Sequence, residues 1–219
     1  MKKTALILAL MLLAVLTIPC ATADEFHLPT MQEAGAQEYN DTYLGYSLKL
    51  PSYLYDLGEQ FAKEQTEAIV KDLGPDDDMI YDIHYWLTYL SEEDYMMFSI
   101  QLKQSTYASF EEELAKAAEY ADLMNAEAEA EGSGTVFTMI HDGIQRETPM
   151  GIMLETAYTY TYPNAPSDTM VVYYDLYFNT IEYCFVMEVP EGFFSYEELQ
   201  AALDEIMQTV NVEQVISAS

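Results

Sequence analysis

The sequence predicts an α+β domain, a mostly antiparallel sheet of six to seven strands flanked by three helices in an α/β/α sandwich. Several segments with alternating apolar residues follow one another without a helix between them, which favours antiparallel pairing. Three other segments repeat their apolar residues at helical spacing, as helices do when they cover a sheet. Hydrophobic residues make up 50% of the 219-residue chain, so a buried core is expected.

The first two predicted elements are a strand and a helix. Alternation over residues 45–50 predicts a strand that ends at Pro51. Residues 57–73 carry apolar side chains at approximately helical spacing, and the Gly74–Pro75 pair ends this helix.

A β-hairpin follows in the chain. Residues 79–89 and 96–102 both alternate between apolar and other side chains, and the acidic turn 91–94 joins them. These two runs carry the clearest hairpin pattern of the sequence.

Two capping boxes mark the remaining helices. The Ser109–Glu112 pair opens a helix that ends at the glycine-rich stretch 132–134, and the Ser195–Glu198 pair opens a last helix that runs to residue 210. Four strands are predicted between these helices, at 135–141, 151–162, 169–178 and 181–189.

The start of the chain reads as a secretory signal peptide over residues 1–23. Lys2 and Lys3 precede an almost wholly apolar run, and the small residues of Ala21–Ala23 place cleavage between Ala23 and Asp24. The apolar run is shorter than the roughly 20 residues that a membrane-spanning helix needs. We therefore expect an extracytoplasmic, secreted protein with no stable membrane anchor after cleavage.

The rest of the chain divides into three parts. Residues 24–42 are polar and aperiodic, so we expect a flexible leader there. Residues 43–212 are expected to form a single α+β domain, and residues 213–219 a tail. Since Cys184 is the one cysteine after the predicted cleavage site, the exported chain has no internal disulfide and depends on packing.

Charge excludes several partners. The chain has 38 acidic and 8 basic residues and a formal net charge of −30, which becomes −32 when Lys2 and Lys3 are removed with the signal peptide. Nucleic acids and anionic membranes are bound through clustered Lys and Arg, so neither is expected as a partner. Cations or a basic partner remain as contacts.

The order of elements carries a resemblance to a known fold. A short opening strand is followed by a strand meander that one helix interrupts, and an amphipathic helix closes the domain; the strand reads Gly45-Tyr46-Ser47-Leu48-Lys49-Leu50-Pro51. From about Tyr43 to Val212 this pattern resembles the Mog1/PsbP-like fold, whose exported members include small bacterial envelope proteins. The resemblance implies a helix-flanked antiparallel sheet and a binding or scaffolding role, and it transfers no catalytic residue.

Nucleophilic catalysis is disfavoured by the sequence. A reactive thiol needs a nearby cation, a helix N-terminus or a metal, but Cys184 shares its strand face with Glu182 and Glu188. The chain also lacks the G-x-S-x-G motif of serine hydrolases, and His84 and His141 are the only histidines in the predicted domain. The sequence therefore favours a protein without enzymatic activity.

Asp76, Asp77 and Asp78 form a candidate calcium site. Their carboxylates follow a Gly–Pro turn, and such oxygens suit Ca²⁺ outside the cell. A solvated acidic turn is the alternative interpretation, and we expect no other cofactor.

Tyrosines are the candidate ligand-binding residues. The chain has 19 of them, and two groups alternate along predicted strands, so that each group shares one strand face: Tyr81, Tyr85 and Tyr89, and Tyr158, Tyr160 and Tyr162. Amphipathic rings beside carboxylates suit a sugar or peptide surface. Alternatively, these rings pack beneath helices, since tyrosine is a favoured strand residue.

These observations predict a secreted, non-enzymatic binding or accessory protein of the bacterial cell envelope. Its ligand would be a partner protein or a component of the cell wall. The alternative hypothesis is an extracellular hydrolase that uses carboxylates, with calcium as an assisting ion.

Export gives the first testable prediction. When the full chain is expressed in a bacterial host, the extracytoplasmic protein should begin at Asp24, as measured by intact mass and N-terminal sequencing. Substitution of Ala23→Arg should leave the precursor uncleaved, because signal peptidase needs a small residue there. A protein that keeps residues 1–23 in the wild type would contradict the predicted signal peptide.

Overall fold

A computed structural model describes most of the chain. The described residues are 28–41, 45–73, 80–104, 110–117, 119–163, 165, 167–178 and 181–212. The predicted signal peptide, the predicted tail and the candidate calcium ligands Asp76, Asp77 and Asp78 lie outside these ranges.

Ten strands and five helices lie in the described ranges. The strands are β1 (Ala36–Asp41), β2 (Tyr46–Pro51), β3 (Tyr55–Asp56), β4 (Ile80–Tyr89), β5 (Tyr95–Gln104), β6 (Val136–Thr148), β7 (Gly151–Thr161), β8 (Thr169–Phe178), β9 (Ile181–Pro190) and β10 (Asn211–Val212). The helices are α1 (Met31–Ala34), α2 (Glu59–Leu73), α3 (Phe110–Ala117), α4 (Tyr120–Glu131) and α5 (Tyr196–Met207).

The strands form two antiparallel sheets. Seven of them make a large sheet in the order β3-β4-β5-β9-β8-β7-β6, and the other three make a small sheet in the order β1-β2-β10. Every strand pair is antiparallel. The predicted α+β class, a mostly antiparallel sheet flanked by helices, is confirmed, with somewhat more strands than the six to seven predicted.

One face of the large sheet, here called the inner face, holds the main core. Phe98, Phe185 and Tyr174 lie on neighbouring strands of this face and are fully buried. Helix α5 and the small sheet cover them, and the rings of Tyr46 and Tyr183 meet with centroids 5.9 Å apart. Alternation along the strands therefore sends one set of side chains into this core.

The opposite face of the large sheet, here called the outer face, is covered at its two ends. Helix α2 packs on β4, where Phe61 and Tyr85 meet edge to face at 5.5 Å. Helix α4 packs near β6, β7 and β8, where Tyr120 lies 5.7 Å from Tyr158. Strands β5 and β9 lie between these two regions, and their outer-face residues form the floor of the cavities described below.

Local signals fix the ends of two helices as predicted. Ser195 and Glu198 form a reciprocal capping box at the start of α5. Gly132 ends α4 in the left-handed region at φ 66°, where its N–H reaches the last helical carbonyls. The single helix predicted before it is two helices, α3 and α4. No helix in the described residues is long and apolar enough to cross a membrane.

The predicted flexible leader over 24–42 needs correction. Residues 28–41 contain α1 and β1, and β1 pairs with β2 along its whole length. Leu28 is buried in the main core, and the Tyr39 ring packs edge to face on Trp86 at 4.9 Å. Leu28 and Tyr39 are isolated apolar residues in a polar stretch and show no strand periodicity. The sequence pattern therefore does not predict this strand.

Leu203 of α5 tests the inner-face packing. Leu203 is fully buried, so Leu203→Ala should lower the free energy of unfolding by about 3 kcal/mol, from lost apolar burial and the cavity left behind. The matched control is Leu123→Ala on α4, where the side chain is 51% exposed and the change should stay within about 0.5 kcal/mol. Urea unfolding measures both, and equal losses would contradict the assignment of the core.

Candidate functional site

Both groups of predicted tyrosines belong to the outer face of the large sheet. Tyr85 lies on β4. The cross-strand pairs through β5, β9 and β8 place its side chain on the same sheet face as Tyr158 and Tyr160 of β7. Tyr89 is half-buried at the end of β4, and the side chain of Tyr81 lies outside the described set. The fold therefore brings two sequence-distant tyrosine groups onto one surface.

The tyrosines of β7 continue into a row of rings. The centroids of Tyr158 and Tyr160 are 6.5 Å apart, and those of Tyr160 and Tyr162 are 5.0 Å apart. Tyr120 of α4 covers the Tyr158 end, while Tyr162 is 55% exposed at the other end. One end of the row therefore packs under a helix, and the other end faces solvent.

A cavity of about 170 Å³ lies on the outer face beside Tyr158. Its lining joins the middle strands to α3 and α4 and combines aromatic, acidic and basic side chains: Gln101, Lys103, Lys116, Tyr120, Leu154, Thr156, Tyr158, Tyr173, Asp175, Cys184, Val186 and Glu188. We call this the first cavity.

Two buried carboxylates and a thiol form a cluster beside the first cavity, of which Asp175 and Cys184 line the cavity and Glu182 does not. The oxygens of Asp175 and Glu182 and the sulfur of Cys184 all lie within 4.8 Å of one another. Lys103 places its Nζ 2.7 Å from Glu182, and the Cys184 thiol donates to the same carboxylate at 3.3 Å. A lysine ammonium thus neutralises part of this cluster from within the protein.

The thiol of Cys184 is not set up as a nucleophile. Burial, and then the negative charge of Asp175, raise its pKa well above the usual value, so the thiol stays protonated. This agrees with the sequence-based expectation that neighbouring acids disfavour catalysis by Cys184. Lys103 remains charged, since the acidic groups around it outweigh the effect of burial and raise its pKa.

A second cavity, of about 210 Å³, lies further along the same face. Its lining includes three acids, two tyrosines and several apolar side chains: Glu93, Asp94, Tyr95, Met97, Tyr160, Ala165, Ser167, Thr169, Glu188, Val189 and Pro190. Glu188 lines both cavities, so we call the two together the tyrosine groove.

Glu188 is the electrostatic centre of the tyrosine groove. Burial raises the pKa of this carboxyl group, and a hydrogen bond from Tyr160 only partly opposes the rise. Burial raises the pKa of Tyr85 to about 12, and the charge of Glu188 adds to this effect. Sequence analysis did not single out Glu188 as a site residue, because only the pairing of β9 with its neighbours places it among the tyrosines.

A second polar cluster, centred on Glu155, lies on the inner face. Glu155 is fully buried on β7 and accepts hydrogen bonds from the hydroxyl group of Tyr196 and from Nε of Arg146. Nε2 of His141 lies 2.9 Å from one carboxylate oxygen, and Nε2 of Gln200 donates to the other at 3.2 Å. Residues of β6, β7 and α5 are thereby tied to one carboxylate.

The Glu155 cluster has the geometry of a structural anchor. Burial alone would raise the pKa of Glu155, but the hydrogen bonds from Tyr196 and Arg146 outweigh it and hold the pKa below its usual value. The other nitrogen of His141, Nδ1, is buried and has no hydrogen-bond partner within the described part of the chain. The sequence spacing does not predict that these residues meet. The pairing of β6 with β7 is irregular, and this irregularity places His141 and Arg146 beside Glu155.

His84 lies in a third cluster, also on the inner face. Its Nδ1 lies 2.9 Å from the hydroxyl group of Tyr39, and its Nε2 lies 3.5 Å from a carboxylate oxygen of Asp41. The ring also packs near Trp86, with centroids 6.1 Å apart. His84 therefore joins β1 to the large sheet as a buried, packed histidine.

Comparison with solved structures places this architecture among known folds. Cyanobacterial PsbP (CyanoP) from Synechocystis sp. PCC 6803 superposes with a TM-score of 0.52 and 13% identity, over 90% of this chain and 98% of that one. The Ran-binding protein Mog1p of Saccharomyces cerevisiae gives a TM-score of 0.47 and 9% identity, over 82% and 96% of the two chains. No family model matches the sequence, and no curated protein matches it by sequence.

The chain has the Mog1/PsbP-like fold, as its element order predicted. At 13% identity the similarity to CyanoP concerns the fold alone. The shared fold therefore assigns no function to the tyrosine groove.

Removal of the Glu155 charge tests the structural anchor. Glu155→Gln should lower the free energy of unfolding by about 3 kcal/mol at pH 7, because its buried donors lose their charged acceptor. The folded-state pKa of Glu155 lies below the ordinary 4.5, so this contribution is complete above pH 4.5 and is lost as the pH falls further. Denaturant unfolding at several pH values measures the difference.

Glu147→Gln on β6 is the matched control, since Glu147 is exposed and undergoes the same change of charge. Its effect should stay within about 0.5 kcal/mol. If Glu155→Gln were as harmless as the control, the cluster would not anchor α5 to β6 and β7.

Proposed function

We propose that this protein is a non-enzymatic binding protein of the bacterial cell envelope, exported by its signal peptide, which binds a partner protein or a cell-wall component through the tyrosine groove. The observation that carries the proposal is the pair of cavities on one sheet face that share Glu188 and are walled by Tyr95, Tyr158 and Tyr160. Tyrosine rings supply contact area at low cost in side-chain entropy, which is why binding surfaces are rich in them.

The chemistry of the groove supports binding better than catalysis. Cys184 is held protonated, and Glu182 is engaged by Lys103. The two described histidines, His84 and His141, belong to clusters on the inner face, with the large sheet between them and the groove. Glu188 is the groove carboxyl group with a raised pKa, and a carboxylate hydrolase would need a second carboxyl group placed across the substrate from it.

Site-specific crosslinking in cells tests this proposal. A photoreactive benzoylphenylalanine in place of Tyr162, at the exposed end of the ring row, should yield a discrete crosslinked product after irradiation of the source bacterium. Tyr55 on β3 is the matched control position, because it is 58% exposed, against 55% for Tyr162, and lies at the opposite end of the strand order, whereas Tyr162 packs on Tyr160 of the second cavity. The Tyr55 position should give no such product.

A groove variant completes the experiment. Combining the crosslinker with Tyr160→Ala should reduce the yield about tenfold, since it removes an aromatic side chain next to the contact. Crosslinks from Tyr55 with none from Tyr162, or a yield that Tyr160→Ala leaves unchanged, would contradict a ligand site in the tyrosine groove.

A further inference from the structure

The second cavity combines negative charge with aromatic and apolar walls. Glu93, Asp94 and Glu188 contribute carboxylates, and Tyr95 and Tyr160 contribute rings. None of the described residues that line this cavity is a lysine, arginine or histidine. The first cavity differs, because Lys103 and Lys116 line it.

Glu188 brings an uncompensated negative charge to this cavity. Among the described lysines, arginines and histidines, none forms an ion pair with Glu188, and Lys103 is committed to Glu182. Tyr160 hydrogen-bonds to the carboxylate but adds no positive charge. Glu188 is half-buried, and a partly desolvated carboxylate without a counter-charge is costly in a folded protein. A bound cation would lower that cost.

Geometry around Glu188 fits an organic cation better than a metal ion. Asp94 is held by its own turn, where Ser91 donates to its carboxylate at 2.8 Å. Ca²⁺ takes about six to eight oxygen ligands, and much of this wall is Met97, Val189 and Pro190. Those apolar side chains match the methylene stem of a lysine, and tyrosine rings attract an ammonium group through their faces.

We propose that the second cavity binds the side chain of a lysine on a partner protein, with Glu188 as the counter-charge for its ammonium group. This inference rests on the proposed function and specifies the ligand class at one end of the groove. The volume of about 210 Å³ is several times that of a single water molecule, so a side chain can enter. The net charge of −30 steers basic surfaces toward the protein over longer distances.

Binding of a single-lysine probe tests the inference. Nα-acetyl-lysine-N-methylamide, titrated into the exported protein and followed by NMR, should shift resonances of residues around the second cavity. Its Nε-acetylated counterpart has the same stem without the charge and should bind about tenfold more weakly or not at all. Glucosamine, which carries an ammonium group on a sugar, should bind more weakly than the lysine probe because it has no apolar stem.

Two matched variants isolate Glu188. Glu188→Gln should weaken binding of the lysine probe about tenfold or more, because the counter-charge is removed. Glu191→Gln makes the same change of charge at an exposed residue that lines neither cavity, and should change binding less than twofold. Both variants should stay folded, and thermal unfolding at pH 7 checks this.

Several results would overturn the inference. Equal weakening by Glu188→Gln and Glu191→Gln would mean that only the overall charge attracts the probe. Equal binding of the acetylated probe, tighter binding of glucosamine, or Ca²⁺ binding that depends on Glu188 in place of the lysine probe would each assign the cavity to another ligand. Failure of the probe while crosslinking at Tyr162 succeeds would reject the lysine site alone, whereas loss of the crosslink rejects the proposed function.

Discussion

Packing of α5 and the small sheet onto the inner face of the large sheet is the interaction on which the rest of the structure depends. Leu199, Leu203 and Ile206 are removed from solvent there, against the central strands. Since Cys184 is the one cysteine after the predicted signal peptide, apolar burial and not a disulfide holds α5 in place. Glu155 adds a polar tie between α5 and the edge of the sheet, with hydrogen bonds that compensate its own burial.

With the inner face closed by this core, the outer face is left to carry the candidate site. Helices cover its two ends, and the groove lies over the strands between them. Two carboxylates of β9 have different surroundings: Glu182 lies beside the groove, and Glu188 lines it. Glu182 is paired with Lys103, whereas among the described residues Glu188 forms no ion pair and accepts a hydrogen bond from the Tyr160 hydroxyl group. This difference is the basis of the proposed lysine site at Glu188.

Part of the candidate site could be predicted from the sequence. Alternation places Tyr158, Tyr160 and Tyr162 on one side of a strand whatever its neighbours are, because successive side chains of a strand point to opposite faces. The same rule places Tyr85 and Tyr89 together. That both groups share one face with Glu188 depends on the order β4-β5-β9-β8-β7, which no local pattern encodes.

The sequence by itself determined the features that neighbouring residues control. These are the α+β class, the acidic turn at 91–94, the capping box of Ser195 and the helix end at Gly132, all of which depend on contacts within a few residues. Only the tertiary structure decided that β1 joins the domain, and that Lys103 pairs with Glu182 while Glu188 lies beside Tyr160. Those outcomes depend on contacts between residues far apart in the chain, and the strand order alone decides which of them meet.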